Sequence, residues 1–469
     1  NIYSFNTMGC IAGSFISGFI LIPLIGLKWS IILAASLNIT IAVILALILI
    51  HNNKHKYITI ILNLLLILLF IFKPACWNNQ FITIGNFINK KNIIINNPDV
   101  LDKENLLFYK EGQHATISVR KLYDSEHKID YALYNNGKVD ATTRLSDMRT
   151  QVSLGYVPCM LANKLNNVLI VGMGSGITAS AVLKFPVNTV EMVELEEAVI
   201  EASKFLSINY GDPLQDKRFK IIIDDARNYL RVTNKKYDLI ISEPSNVWIS
   251  GVASLFTKEY YKAIKNKLTS DGILCQWVHI YLIKSDRIIS VIKAIKSEFK
   301  YVYLCHTKTG SDLLLIASNK PININLDLIE KRMNYNHVRK DLLEIFNISN
   351  HYQFLSFFIS NNDGVEKILS EKFKTVPVNT DNNSYLEFKS VKDFFIEPSE
   401  EKTFSTDKLA ALFKGISKEN VINPPDNFYK VLINNIEKQY QRAKILKEPL
   451  ENREIPVYKE LIKVYSSKE

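Results

Sequence analysis

The sequence predicts N-terminal transmembrane helices followed by an α/β domain, a parallel sheet with helices on both faces. Three observations carry that expectation. The first 71 residues hold three successive apolar stretches, Thr7–Leu27, Trp29–Ile50 and Tyr57–Ile71, and residues 1–50 contain one charge, Lys28. From Asn167 onward, the short apolar runs VLIVG, VEMVEL, FKIIID, YDLIIS and GILCQWV alternate with stretches of helical spacing. Between these regions, residues 108–140 alternate apolar and polar side chains, as a small antiparallel β unit does.

The first two apolar stretches reach the roughly 20 residues that cross a bilayer, and the third is marginal. A signal peptide has one short apolar core beside a cleavage site, not three cores in series. Gly9, Gly13 and Ser17 recur at the small-residue spacing that lets membrane helices pack closely. The chain starts at Asn1 and is apolar at once, which predicts the end of a longer membrane domain. With three crossings, Lys28, Lys73, Lys90 and Lys91 share one side, and Lys54 and Lys56 the other. Counting basic residues then puts the C-terminal bulk inside.

The expected domains are a transmembrane segment (1–75), a connector with the small β unit (76–165), the α/β domain (166–395) and a helical C-terminal appendix (396–469). The β unit turns at Asn135-Asn136-Gly137, and residues 143–165 read as helix. YVYLC and DLLLIAS add two later strands to the α/β domain, and the appendix is charged with a break at Pro424-Pro425. The charge of +10, from 57 basic and 47 acidic residues, is spread without a block of like charges, so nucleic acid is not an expected partner. Five scattered cysteines without a CxxC pair argue against a disulfide framework or structural zinc site and fit a reducing compartment. No metal site is expected, because His114, His279 and His306 lack ligand spacing.

The chemistry gathers at strand ends. The first parallel strand runs into Gly172, Gly174, Ser175 and Gly176, a turn that lets a ligand approach the backbone. The second ends at Glu194, placed to accept ribose hydroxyls. The third ends at Asp224-Asp225-Ala226, and the fourth at Glu243 in DLIISEPSN. All converge on the carboxyl edge, where open α/β sheets bind ligands, and together they fit an adenosine-containing molecule.

These residues resemble the polyamine aminopropyltransferases, the spermidine synthase family, and more closely its membrane-fused members. The matching blocks are NGKVDATTRLSDMRTQ, VLIVGMGSGITA, VELEEAVIEASKF, DKRFKIIIDDARNYL, YDLIISEPSN, SLFTKEYY and GILCQW, in family order across about residues 109–320. TDNNSYLEF (380–388) is a further match. The resemblance implies a methyltransferase-like Rossmann sheet and no permanently bound cofactor. It implies decarboxylated S-adenosylmethionine as donor, a putrescine-like amine as acceptor, and Glu243 as the catalytic base. By motif, Gly172, Gly174, Ser175 and Gly176 line the donor loop, Glu194 binds the ribose, and Asp225 with Ala226 the adenine side. Gln151, Asn246 and Gln276 fall at the amine or donor pocket. It further implies a multi-pass protein of the bacterial inner membrane, catalytic part cytoplasmic, with lipid as a partner and a homodimer as the family's usual assembly.

The sequence departs from the family pattern at three positions. Ser175 stands where the family carries an aspartate, Glu243 replaces the catalytic aspartate, and Asn246 replaces a second aspartate that holds the amine. Two readings therefore compete with aminopropyl transfer. One is a methyltransferase using S-adenosylmethionine itself, and the other a non-catalytic nucleoside or polyamine sensor attached to a transporter.

Overall fold

The computed structural model describes residues 2–72, 79, 83, 105–123, 128–207, 210–371, 373–395, 414–446 and 449–469. Most of the connector expected after residue 75, Lys73, Lys90 and Lys91, and the start of the C-terminal appendix lie outside the described residues. The chain forms two compact units, Asn1–Ala141 with Glu196–Ala202, and Thr142–Leu195 with Ser203–Glu469.

In the first unit, α-helices Ile2–Ile16, Ile22–Leu49 and Asn53–Phe72 follow one another, with a π-helical turn at Ser17–Leu21. Among the described residues, one helical run, Tyr3–Leu49, is long and apolar enough to cross a membrane by length and composition. It breaks at Gly26, whose φ of 79° and ψ of 168° are not helical, close to the boundary expected near Lys28. The Leu27 N–H freed by that break donates to the Glu111 carboxylate. The same unit holds a four-stranded antiparallel sheet ordered β1-β2-β3-β4 (Leu106–Glu111, Thr116–Tyr123, Ile129–Asn135, Lys138–Thr142). β3 and β4 meet at Asn136 and Gly137, both at positive φ, the backbone that suits a tight hairpin. Ile117, Val119, Ala132 and Leu133 are fully buried on this sheet.

The second unit is organised by an eight-stranded sheet. Its parallel part is β5 (Asn167–Val171), β6 (Thr189–Glu194), β7 (Phe219–Ile223), β8 (Tyr237–Ser242) and β9 (Leu268–His279). β10 (Tyr301–His306) and β11 (Asp312–Ser318) join antiparallel, as does the short β13 (Phe358–Ser360). A separate two-residue pairing joins β12 (Ile324–Asn325) to β14 (Val421–Ile422). The order β13-β10-β11-β9-β8-β5-β6-β7 is the methyltransferase-like Rossmann arrangement. Helices cover both faces, so β8 and β11 are buried along their whole length, and such strands read as unbroken apolar runs. The order reverses between β5 and β8, which opens a crevice at their carboxyl ends.

The C-terminal helices Phe428–Leu446 and Pro449–Ser466 belong to this same unit. Their apolar side chains Phe428, Leu432, Ile436, Leu461 and Tyr465 are fully buried. So is an acid, Glu454, whose carboxylate meets Arg149 Nη1 at 2.6 Å and Lys308 Nζ at 3.7 Å.

Candidate active site

Four neighbouring parallel strands each hand over to a loop bearing polar groups. After β5, Gly172, Gly174 and Gly176 take φ of 89°, 49° and 81°. A Cβ on Gly172 would stand 2.5 Å from the Glu243 carbonyl oxygen, so no side chain fits there. At Gly174 no described atom lies within 4 Å of the same position, which leaves the loop open to a ligand. Gly172→Ala is expected to destabilise the fold by about 1–3 kcal/mol, read from a chemical-denaturation midpoint, because strain and backbone collision act together.

Glu194 ends β6, and its carboxylate accepts from the Met173 N–H at 2.8 Å, binding the glycine loop to the neighbouring strand. Asp225 caps the helix Ala226–Val232 by accepting from the Asn228 N–H at 2.8 Å, and Ala226 is buried behind it. Arg227 next to them is paired with Asp381, Nη1 to Oδ1 at 2.9 Å. Asp225 and Ala226 share the carboxyl edge but form no direct bond to Glu243.

Glu243 is half-buried where β8 opens into its loop. Thr178 Oγ1 lies 2.7 Å from Glu243 Oε2 and 3.1 Å from the Gln151 carbonyl oxygen. One hydroxyl has one hydrogen, so it donates to only one of these at a time. When Glu243 is protonated it donates to Thr178, and Thr178 then donates to the carbonyl, so both acceptors are satisfied. Burial pushes the Glu243 carboxyl up to about 8; the Thr178 bond opposes the rise and the charge of Asp312 adds to it.

The Ser175 hydroxyl donates to Gln151 Oε1 and accepts from the Ile177 N–H at 3.1 Å. Gln151 Nε2 donates to the Thr142 carbonyl at 3.1 Å, so its amide is tied at both ends. Asn246 and Gln276 are fully buried. Asn246 Nδ2 donates to the Tyr281 hydroxyl at 3.1 Å, and Gln276 Nε2 to the Ser242 carbonyl at 3.3 Å. Their amide oxygens, Asn246 Oδ1 and Gln276 Oε1, have no partner among the described residues.

Two polar residues at this edge do not emerge from the sequence reading. Thr178 sits in the first turn of the helix Ile177–Leu183, and its only signal is the Gly-Ser-Gly-Ile-Thr run. Asp312 begins β11 opposite His279 of β9. It accepts from Thr150 Oγ1 at 2.9 Å, Trp277 Nε1 at 3.1 Å and Thr309 Oγ1 at 3.3 Å, and burial pushes its carboxyl up to about 6. His306, by contrast, is a structural residue. Its Nε2 lies 2.9 Å from the Ser356 carbonyl, its Nδ1 accepts from the Lys308 N–H at 3.1 Å, and burial holds it neutral at about 3.

Residues 148–315 match the model of the spermine/spermidine synthase domain. Polyamine aminopropyltransferase 2 of Aquifex aeolicus is 30% identical over 209 residues, 43% of this chain and 42% of that one. The polyamine aminopropyltransferase of Methanocaldococcus jannaschii is 32% identical over 156 residues, 33% of this chain and 53% of that one. The chain thus spans about half the length of these two relatives. Among solved structures, spermidine synthase from Thermotoga maritima aligns at a TM-score of 0.40 with 23% identity, over 50% of this chain and 78% of that one. The candidate residues from Thr150 to Asp312 all fall within the span that matches the spermine/spermidine synthase domain.

Proposed function

We propose that the protein transfers an aminopropyl group from decarboxylated S-adenosylmethionine to a primary amine and releases methylthioadenosine. The observation that carries this reading is the Glu243 carboxyl at the carboxyl end of β8 beside the glycine loop, pushed up to about 8 by burial. An ammonium has no lone pair, so a base must remove its proton before it can attack. A carboxyl that is protonated in an empty site becomes a carboxylate when a cationic sulfonium enters beside it, because opposite charge favours the ionised form. Glu243 then takes a proton from the bound ammonium. The nitrogen lone pair forms a bond to the methylene beside sulfur, the C–S bond breaks, and its electron pair leaves on sulfur as a neutral thioether.

In this reading Gly172, Gly174, Ser175 and Gly176 lie along the donor. Glu194 accepts the ribose hydroxyls, and Asp225 with Ala226 faces the adenine. Gln151, Asn246 and Gln276 line the acceptor side. The N-terminal helices anchor the protein as a multi-pass membrane segment. The run Tyr3–Leu49 is 47 residues long, about twice what one crossing needs, and it is broken near its middle at Gly26. Phe5, Ile11, Leu24, Trp29, Ile41 and Leu47 are all exposed along it, as lipid-facing side chains are.

The test is to give the full chain each donor separately with a mixture of diamines and to identify the nucleoside by mass spectrometry. Methylthioadenosine formed from the decarboxylated donor only when amine is present is the expected product. S-adenosylhomocysteine from S-adenosylmethionine would replace this reading with methyl transfer.

A further inference from the structure

The loop after β8 offers Asn246 where the resemblance calls for a second carboxylate, so the acceptor side looks one negative charge short. The structure holds a carboxylate at the same edge from a different strand. Asp312 begins β11, and its side chain is fixed by three neutral donors, Thr150, Thr309 and the Trp277 ring nitrogen. No basic side chain pairs with it or with Glu243 among the described residues. The buried acids Glu191, Asp341, Asp393 and Glu454 each meet a lysine or arginine instead. Asp238, at the opposite end of the sheet, is satisfied by the backbone N–H groups of Asn166 and Asn167. Two uncompensated carboxylates, Asp312 buried and Glu243 half-buried, are costly to hold ionised together unless a cation joins them.

The amide oxygens point to the same ligand. Asn246 Oδ1 and Gln276 Oε1 are buried acceptors without a donor. Gln276 stands on β9 between Ser242, the residue before Glu243, and β11, the strand that Asp312 begins. Two carboxylates and two orphaned amide oxygens offer four acceptors to a ligand at this edge. A primary ammonium, with three N–H donors and no acceptor, is their complement. Beside Asp312 stands an aromatic cluster, in which the His279 ring centroid is 4.1 Å from that of Trp248 and 5.7 Å from that of Trp277. Such a cluster suits a methylene chain and a nearby cation.

We propose that Asp312, reaching in from the antiparallel strand β11, supplies the second carboxylate of the acceptor subsite and selects an alkyl diammonium. Glu243 receives the reacting nitrogen and Asp312 the remote one. This inference rests on the aminopropyl-transfer reading for the identity of the reacting end, while its own content is recognition of the remote ammonium.

The test compares the full chain with its Asp312→Asn variant by equilibrium binding of 1,4-diaminobutane and of n-butylamine, which lacks the second ammonium. Loss of one charge-assisted contact is expected to raise the diamine Kd on the order of tenfold to a hundredfold. Affinity for butylamine and for the decarboxylated donor is expected to stay unchanged, and Asp312→Glu to recover part of the diamine preference. Unchanged diamine affinity in Asp312→Asn, equal losses for both amines, or no diamine binding by the wild type would each overturn the proposal. Should Asp312→Asn fail to fold, as loss of donor affinity would reveal, Trp277→Phe removes one donor to Asp312 and carries the test. A weaker preference for diamine over monoamine is then expected, and an unaltered preference overturns the proposal. Asp312-dependent diamine binding without methylthioadenosine would sink the transfer reading alone. Equal methylthioadenosine formation and equal diamine affinity in wild type and Asp312→Asn would sink this inference alone.

Discussion

Glu243→Gln is expected to lower amine-dependent methylthioadenosine formation by roughly 10²–10⁴-fold, the usual contribution of a positioned base. Glutamine keeps the size of the side chain and can still bond Thr178, so affinity for the donor should persist. The same substitution is expected to make the fold more stable at alkaline pH. The folded carboxyl titrates at about 8 against 4.5 when exposed. Between those values the folded state retains a proton that the unfolded chain has released, so stability falls as pH rises through that window. Above about pH 8 the cost reaches the order of 4–5 kcal/mol, and glutamine does not incur it. Thermal midpoints of wild type and variant should therefore diverge from pH 5 to pH 9, with the variant higher at the alkaline end. A variant that keeps full turnover would remove Glu243 from the chemistry.

Glu454→Ala is expected to destabilise the second unit by roughly 3–5 kcal/mol, the cost of leaving one partner of a buried ion pair uncompensated. Arg149 and Glu454 are each 2% exposed at the side chain, and Lys308 is completely buried. Removing the acid takes away a carboxylate that two buried cations share. Arg149 also donates through Nε to the Ile345 carbonyl at 2.8 Å, so it cannot simply swing out to water. The effect reaches toward chemistry because Arg149 precedes Thr150 and Gln151 on one helix, and Lys308 precedes Thr309, a donor to Asp312. Urea denaturation of the full chain checks the magnitude. Glu454→Gln, which keeps hydrogen bonding and loses the charge, should fall between wild type and Glu454→Ala.

The legible part of this protein is what local pattern encodes. DLIIS running into EPSN announces a buried strand that stops at a carboxylate, and the structure ends β8 at Ser242 with Glu243 next. The glycine turn was equally readable, since only glycine tolerates the positive φ at Gly172 beside the Glu243 carbonyl. The Asn136-Gly137 hairpin follows from the same chemistry.

Residues brought in by distant strands were not readable. Asp312 opens an antiparallel strand whose sequence, DLLLIAS, says only that it is buried. Its opposition to His279 arises from pairing with β9. Thr178 carries no signal of its own in the sequence, and its contact with Glu243, 65 residues away, arises only in the fold. The C-terminal helices are charged enough to read as a solvated appendix. Only tertiary packing buries Glu454, because its partners Arg149 and Lys308 lie far away in sequence.

In the proposed reaction Glu243 is held protonated until cationic ligands enter. Difference infrared spectroscopy of the full chain against Glu243→Gln isolates that one carboxyl and follows it with pH. A protonated carboxyl band is expected at neutral pH, disappearing near pH 8, with that transition shifted to lower pH when the decarboxylated sulfonium donor is added. A carboxyl that is already ionised at pH 6 without ligand, with no response to the donor, would contradict this reading.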